Sequence, residues 1–558
     1  MDPASLAIGA VGLTGLFDAC LKLYEHVCNA KRYPEDCKRQ VLFLELERSR
    51  FTGIRVELLR AVGGPEEPAA VDGDEILFKT SFQRSSTASP ASPSVWRHEY
   101  LGRLLSTVRG VLTEAEAIVE KYQKIDSKRK LRTFISSRLH THQLSWIADD
   151  KNRLKELVET LRQLNSYLES LLPAPSRRRL QLAFEATVVL SADAGRLRDI
   201  QSESVTGYES LNHSATVRLA KMSMESKASN SQQELQDSRM DHRCLRLRKP
   251  IANGYNVYSS AMYETGPPGR LHRQSVLVER RQAFTTVDSL GEAGKRLNSL
   301  VVTLQCMQAS ANQPPQNQTN STAFGVPRCL GWIAPEGSNL DVIDLVYEYP
   351  TPTLQPPVSL HTLLQTLLST NRPSLGARFN LALCLAQSYG RFISVGYLHK
   401  GFHSHNILFF NDTLTPYIVG CADSRPETTP MYSSPLSDVI PDRELYIPWE
   451  TILEIPQPDP SKRTRWSAAA DIYGLGVMLV EIGRWTCTSQ EWRTASLYDF
   501  HQKVLPGLVE ELGYHMGDIY RDVARACLRV GDFEFTTEIG VWQNYSEKIL
   551  KPLELCRA

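Results

Sequence analysis

His399-Lys400-Gly401-Phe402-His403-Ser404-His405-Asn406-Ile407-Leu408 is the stretch on which the reading of this chain turns. A helix-like run ends just before it, at Tyr397-Leu398, and a short apolar strand, Ile407 to Phe410, begins within it. Its two polar ends, His399 and Asn406, stand seven residues apart. Between them Gly401 has no side chain, so that position can neither take nor give a proton.

Composition sets the outer limits. A chain of 558 residues suits about three domains. At 42% hydrophobic and 22% charged it is ordinary globular material. Lys+Arg 63 against Asp+Glu 62 leaves no net field, so no nucleic-acid partner is expected. The 11 cysteines are scattered, without a C-x-x-C pair or a Cys/His set at zinc spacing. They read as reduced thiols of an intracellular protein. The apolar run from Pro3 to Phe17 lacks a basic flank and is too short to span a bilayer, so it reads as neither signal peptide nor membrane span. The expected location is cytoplasmic.

The opening stretch resembles the catalytic loop of protein kinases, H-R-D-x-x-x-x-N. His399 and Asn406 fit that pattern; Lys400 replaces its Arg, and Gly401 replaces its catalytic Asp. Ile418-Val419-Gly420-Cys421-Ala422-Asp423 follows at about the spacing of D-F-G. There Gly420 takes the place of the magnesium-binding Asp, and Cys421 and Ala422 take the next two positions. Tyr446-Ile447-Pro448-Trp449-Glu450 resembles the end of the activation segment, with Glu450 at the A-P-E position. The run Ala470-Asp471-Ile472-Tyr473-Gly474-Leu475-Gly476-Val477 closely resembles the kinase helix S-D-V-W-S-L-G-V. Leu345-Val346-Tyr347-Glu348-Tyr349 resembles the strand entering the hinge, which makes Glu348 and Tyr349 the backbone facing an adenine. Ser275-Val276-Leu277-Val278-Glu279 puts Glu279 where V-A-I-K has its Lys; Arg280 or Arg281 takes that place if the register slips. No G-x-G-x-x-G precedes it.

This resemblance, over residues 250–556, implies an α+β bilobal kinase-like domain. Phosphoryl transfer needs metal ions, a lysine on the phosphates and a base. Gly401 and Gly420 can supply neither base nor metal ligand. The expected class is a pseudokinase rather than an enzyme, with no metal and no cofactor, since the motifs do not support ATP binding. What is kept is scaffold: Asp471 receiving hydrogen bonds from the loop backbone, His399 packed beneath the loop, Asn406 as a brace, and Glu450 closing the activation segment. Two other readings stay open. One is a divergent active kinase in which His403 or Asp423 stands in; the other is a soluble protein-binding scaffold.

The N-terminal third reads as a helical bundle. Leu6, Ala10, Leu13, Phe17, Leu21, Tyr24 and Cys28 recur at helical steps on one face. Gly9, Gly12 and Gly15 make the first half of that helix thin, suited to close packing or to lipid. Further helices are expected over 36–59, 96–122 and 144–172, and from Arg177 past Leu197. Lys121, Lys124, Lys128, Arg129, Lys130, Arg132 and Arg138 form a basic stretch, either a solvated face or a contact for anionic lipid.

The opening Leu6-Ala7-Ile8-Gly9-Ala10-Val11-Gly12-Leu13-Thr14-Gly15-Leu16-Phe17-Asp18 and the helix Cys37 to Arg50 resemble the fungal HeLo domain, the prion-inhibition and propagation domain of HET-s/HET-S-like incompatibility proteins. The resemblance covers residues 1–215. It implies a bundle whose N-terminal segment can be released into membrane, with Leu6, Ile8, Leu13, Leu16 and Phe17 facing lipid. Ser202 to Asp241 is polar, and 216–249 reads as a linker.

The whole is thus expected to be multidomain: an all-α HeLo-like bundle followed by a kinase-like domain. The resemblances imply a regulator of programmed cell death or heterokaryon incompatibility. A protein partner or upstream sensor would act on the kinase-like part. The bundle would meet anionic lipid at the plasma membrane, and a homo-oligomer would form on activation.

Overall fold

A computed structural model describes residues 10–29, 38–61, 95–129, 140–202, 208–225, 238–250, 258–265, 272–282, 290–307, 324–334, 342–350, 355–366, 372–410, 414–421, 425–426, 441–452, 467–492, 495–529, 531 and 537–557. The chain forms two compact units, Met1–Phe184 and Glu185–Ala558.

The first unit is all helical: α1 (Ala10–Cys28), α2 (Lys38–Ala61), α3 (Val95–Arg129), α4 (His140–Ser170) and the start of α5 (Ala174–Ser191). The expected helices are all present, and α3 runs on through Lys121, Lys124 and Lys128. Helix α1 buries Leu13, Phe17, Cys20, Tyr24, Val27 and Cys28; Leu13, Phe17, Tyr24 and Cys28 belong to the expected stripe, while Leu21 is only partly buried and Cys20 and Val27 widen the face. Phe51 of α2 receives both aromatic rings, 5.4 Å from Phe17 and 5.5 Å from Tyr24 between centroids. Arg55 of α2 pairs with Asp18 of α1 at 2.7 Å. The buried Glu47 carboxylate accepts from Asn165 Nδ2 of α4 at 2.6 Å, with Arg50 at 3.7 Å. Among the described residues no helix is long and apolar enough to cross a membrane.

The second unit begins with helices. The run expected from Arg177 past Leu197 breaks at Ala192–Asp193, where the Asp193 carboxylate accepts from Arg196 N at 2.8 Å and caps α6 (Ala194–Ser202). The boundary read at 215 falls inside α7 (Glu209–Glu225), which is no linker: Leu211, His213, Ala215, Val217 and Lys221 are buried in it. Residues 238–250 are not linker either. Ser238 and Met240 bridge to Trp332, and β1 (Leu245–Pro250) opens a sheet. Polar composition hid this strand, although Leu-Arg-Leu-Arg has the alternation of one.

That sheet has five antiparallel strands in the order β1-β2-β3-β5-β4, with β2 (Tyr258–Thr265), β3 (His272–Gln282), β4 (Cys329–Ile333) and β5 (Val342–Glu348). Helix α8 (Leu290–Cys306) lies between β3 and β4 in the chain. A helical region follows with α9 (Leu360–Thr366), α10 (Leu375–Ser394), α11 (Trp449–Ile452) and α12 (Ala468–Arg484). Small strands β6 (Val358–Ser359), β8 (Ile407–Phe409) and β9 (Tyr417–Ile418) form one ladder, and β7 (Tyr397–Leu398) pairs with Arg425–Pro426. Every residue of α12 from Ala468 to Gly483 is buried, which explains its mostly apolar sequence; the buried Asp471, Tyr473 and Glu481 are hydrogen-bonded.

Candidate functional site

The loop after β7 is fixed from below by α12. The buried Asp471 carboxylate accepts from His399 N at 2.7 Å, Lys400 N at 2.9 Å and Tyr389 Oη at 3.1 Å. Two of these bonds hold Lys400 in the left-handed region, φ +63°, which costs an ordinary residue about 1–2 kcal/mol. His399 Nε2 lies 3.0 Å from Val419 O, and the His399 ring meets Phe392 and Phe402 edge-on. His399 and Asp471, the two positions read as scaffold, are both buried at this loop. Of Glu450 the structure gives only its place in α11.

Above the loop the polar groups engage one another. Asn406 Nδ2 donates to Gly401 O at 2.8 Å and lies 3.1 Å from His403 Nε2. Its Oδ1 accepts from Tyr258 Oη of β2. Asn406 thus ties the loop to the sheet. Gly420, at φ +86°, has the Asn406 amide where a side chain would go: a Cβ would lie 2.1 Å from Nδ2 and 2.4 Å from Cγ. The site has no room for a carboxylate at 420. A Cβ at Gly401 would meet Asn406 Nδ2 at 3.2 Å, a tight but passable contact. Cys421 is buried, and Ala422 lies outside the described residues.

The β3 register puts Glu279, not an arginine, at the inward position. Glu279 pairs across to Tyr258 and Leu345. Its fully buried carboxylate accepts from Gly420 N and Tyr347 Oη, both at 3.1 Å. Arg280 points the other way and forks onto Asp344 with two bonds of 2.9 Å. For Arg281 only its place in the strand is described.

At the end of β5, Glu348 N donates to Arg328 O at 2.8 Å and Tyr349 N to Ser275 O at 3.3 Å. Tyr349 Oη donates to Ser260 at 2.7 Å, and its ring meets Phe410 edge-on at 5.0 Å. The two donors assigned to an adenine are spent within the protein.

A third layer closes the loop from the side. Arg443 donates to Lys400 O at 3.1 Å from the turn Pro441–Tyr446. Tyr446 Oη sits between Ser404 Oγ at 2.7 Å and Glu481 Oε1 at 2.8 Å. Burial raises the Glu481 carboxyl to about 7 against the bonds from Thr488, Tyr446 and Ser404 that favour its charge. A narrow cleft remains beside it, lined by Lys400, Gly401, His403, Arg443, Tyr446 and Asp471. Tyr258 and Glu481 are members that the sequence did not announce. They come from strand β2 and helix α12, far from the loop in the chain, and only the fold brings them to it. Of the residues read as lipid-facing, Leu13 and Phe17 are fully buried in the first unit, Leu16 packs against the same core, and Leu6 and Ile8 lie outside the described residues. None of the described cysteines forms a disulfide.

The prion-inhibition and propagation (HeLo) family matches this chain over residues 5–142 and 125–200. The N-terminal helical region is thus similar to the HeLo family by sequence and helical by structure. No curated protein matches the chain.

Proposed function

We propose that this protein is a regulator of fungal cell-death or incompatibility signalling, in which the HeLo unit acts on membranes and the C-terminal unit controls it as a kinase-like domain without phosphoryl transfer. The observation that carries the reading is the HeLo match; the resemblance implies a domain whose N-terminal segment can be released into lipid. The sheltered face of α1, with Leu13 and Phe17 in the core, is what such a release would expose.

The kinase-like half is supported by the order of its parts. A five-stranded antiparallel sheet with one intervening helix precedes a helical region, and Asp471 grips the loop ahead of Asn406. The absence of catalysis is supported by chemistry. Gly401 offers no base, Asn406 fills the space at Gly420, and a buried carboxylate stands at Glu279 where phosphates need a cation. The engaged backbone donors at Glu348 and Tyr349 support reading this domain as one that works without nucleotide. Its role is to receive a protein partner or upstream sensor. The released bundle then meets anionic lipid at the plasma membrane as a homo-oligomer.

Vesicle leakage tests this. Residues 1–191, which keep α5 whole, should release dye from anionic vesicles and arrest growth when expressed, whereas the full chain should be quiet. A folded 1–191 piece that leaves both vesicles and growth untouched ends the reading.

A further inference from the structure

His361 lies in α9, His405 in the loop one residue before Asn406, and Asp442 in the turn Pro441–Tyr446. Each offers one ligand atom, and these three atoms lie within 4.8 Å of one another. Both imidazoles are buried and stack with centroids 3.7 Å apart and 21° between planes. Gln365 holds His361 Nε2 at 2.8 Å, and the buried Cys487 thiol sits 3.6 Å from His361 Nδ1. Four segments distant in the chain thus bring two imidazoles, a carboxylate and a thiol to one place. Two buried rings face to face gain little from each other and give up their hydration. A cation between their nitrogens and the carboxylate would offset that loss.

We propose that His361, His405 and Asp442 form a binding site for a divalent transition-metal ion of the zinc class. Imidazole nitrogen with one carboxylate, and sulfur within reach, is the donor set of zinc and cobalt; magnesium and calcium prefer oxygen alone. With metal–ligand bonds of about 2.0–2.1 Å, ligand atoms stand about 3.3 Å apart, so the three groups close in, and because each imidazole lone pair lies in its ring plane, the two rings turn out of their stack to share the ion. The ion ties α9 and the turn to the loop at the residue next to Asn406. Its role is structural: it holds the loop and the turn that Arg443 fastens to Lys400 in one arrangement. No spacing rule reveals this site, because each ligand comes from a different segment.

The full chain, stripped with a chelator and checked for folding by circular dichroism, is titrated with zinc and, separately, with cobalt. One ion per chain should bind at this site and give the visible absorption of tetrahedral cobalt. His361→Gln and Asp442→Asn should each weaken binding about tenfold or more. His26→Ala should leave this ion in place; it removes the surface cluster of His26, Glu116 and Glu120. Asp442 is only partly buried, so Asp442→Asn remains informative where a histidine variant misfolds. An ion held undiminished in both ligand variants, an ion lost with His26→Ala, or no ion bound by the folded chain at micromolar free zinc would each overturn the proposal.

Discussion

The two sides of the His399–Asn406 loop were treated differently by the sequence. Beneath it, Asp471 keeps a full set of three partners on one carboxylate. Above it, glycines occupy 401 and 420, and a carboxylate at 279 takes the position read for a cation. The underside does what any folded loop of this shape needs, since buried backbone donors must be satisfied whatever happens on top. The upper side carries no side chain at 401 or 420, and internal bonds fill the space. Support and chemistry are therefore separable, and Asn406 shows how: it serves as a knot between Gly401, His403 and Tyr258.

The hardest test of that contrast is to cut each side in turn. Asp471→Ala strands three buried donors and should cost about 3–5 kcal/mol in denaturant unfolding of the C-terminal unit. Gly420→Asp should cost as much, because it forces a side chain onto the Asn406 amide at a positive φ and sets a second carboxylate near Glu279. Gly401→Asp should cost far less. Unfolding measurements that found Gly420→Asp as mild as Gly401→Asp would break the comparison.

Titration offers a middle-sized test. Burial pushes His501, bonded to Tyr473, down from 6.5 to about 4. A depressed histidine gives stability that is present above 6.5 and lost as pH falls toward 4, here about 3 kcal/mol. Glu481 runs the opposite way: raised from 4.5 to about 7, its contribution is greatest below 4.5 and is lost as pH rises toward 7, by a similar amount. His501→Phe should flatten the acid loss of stability, and Glu481→Gln should steepen it. Stability curves from pH 4 to 7.5 that shift in the same direction for both variants would contradict these assignments.

The smallest expected effect belongs to the knot itself. Tyr258→Phe removes one of the three ties on Asn406 and should cost about 1–2 kcal/mol. No loss at all would mean that the sheet and the loop are held by packing alone.

Much of this was legible in the sequence, for a definite reason in each case. The α1 stripe and the α12 run are periodic apolar patterns, and periodicity survives without tertiary information. The loop carried its own punctuation in His399, Gly401 and Asn406. Other parts were not legible. Strand β1 and helix α7 are polar enough to pass for linker, and their places are decided by partners far away: Trp332, next to the chain leading into β1, and Glu538, against α7. The inward turn of Glu279 rather than Arg280 is a matter of strand register, and a slip of one residue exchanges the two faces. Tyr258 and Glu481 were silent because no local pattern distinguishes a tyrosine or glutamate that will meet a loop well over a hundred, or some eighty, residues away in sequence.

One earlier feature sets where the second unit can be separated from the rest. Lys221 Nζ lies 2.6 Å from Glu538, Arg218 reaches the same carboxylate at 2.6 Å, and Arg218 also donates to Val395 O at 3.1 Å. Gly396, at φ +65°, lets them approach: a Cβ there would lie 2.3 Å from the Glu538 carboxylate. The first helices of the unit are thus fastened to nearly its last. A piece begun at residue 250, where the texture of the sequence changes, would leave Glu538 half-buried without either cation. The unit keeps this seam only when it begins before α7, so any protease or engineer that trims the chain between α7 and β1 removes a closing seam along with the apparent spacer.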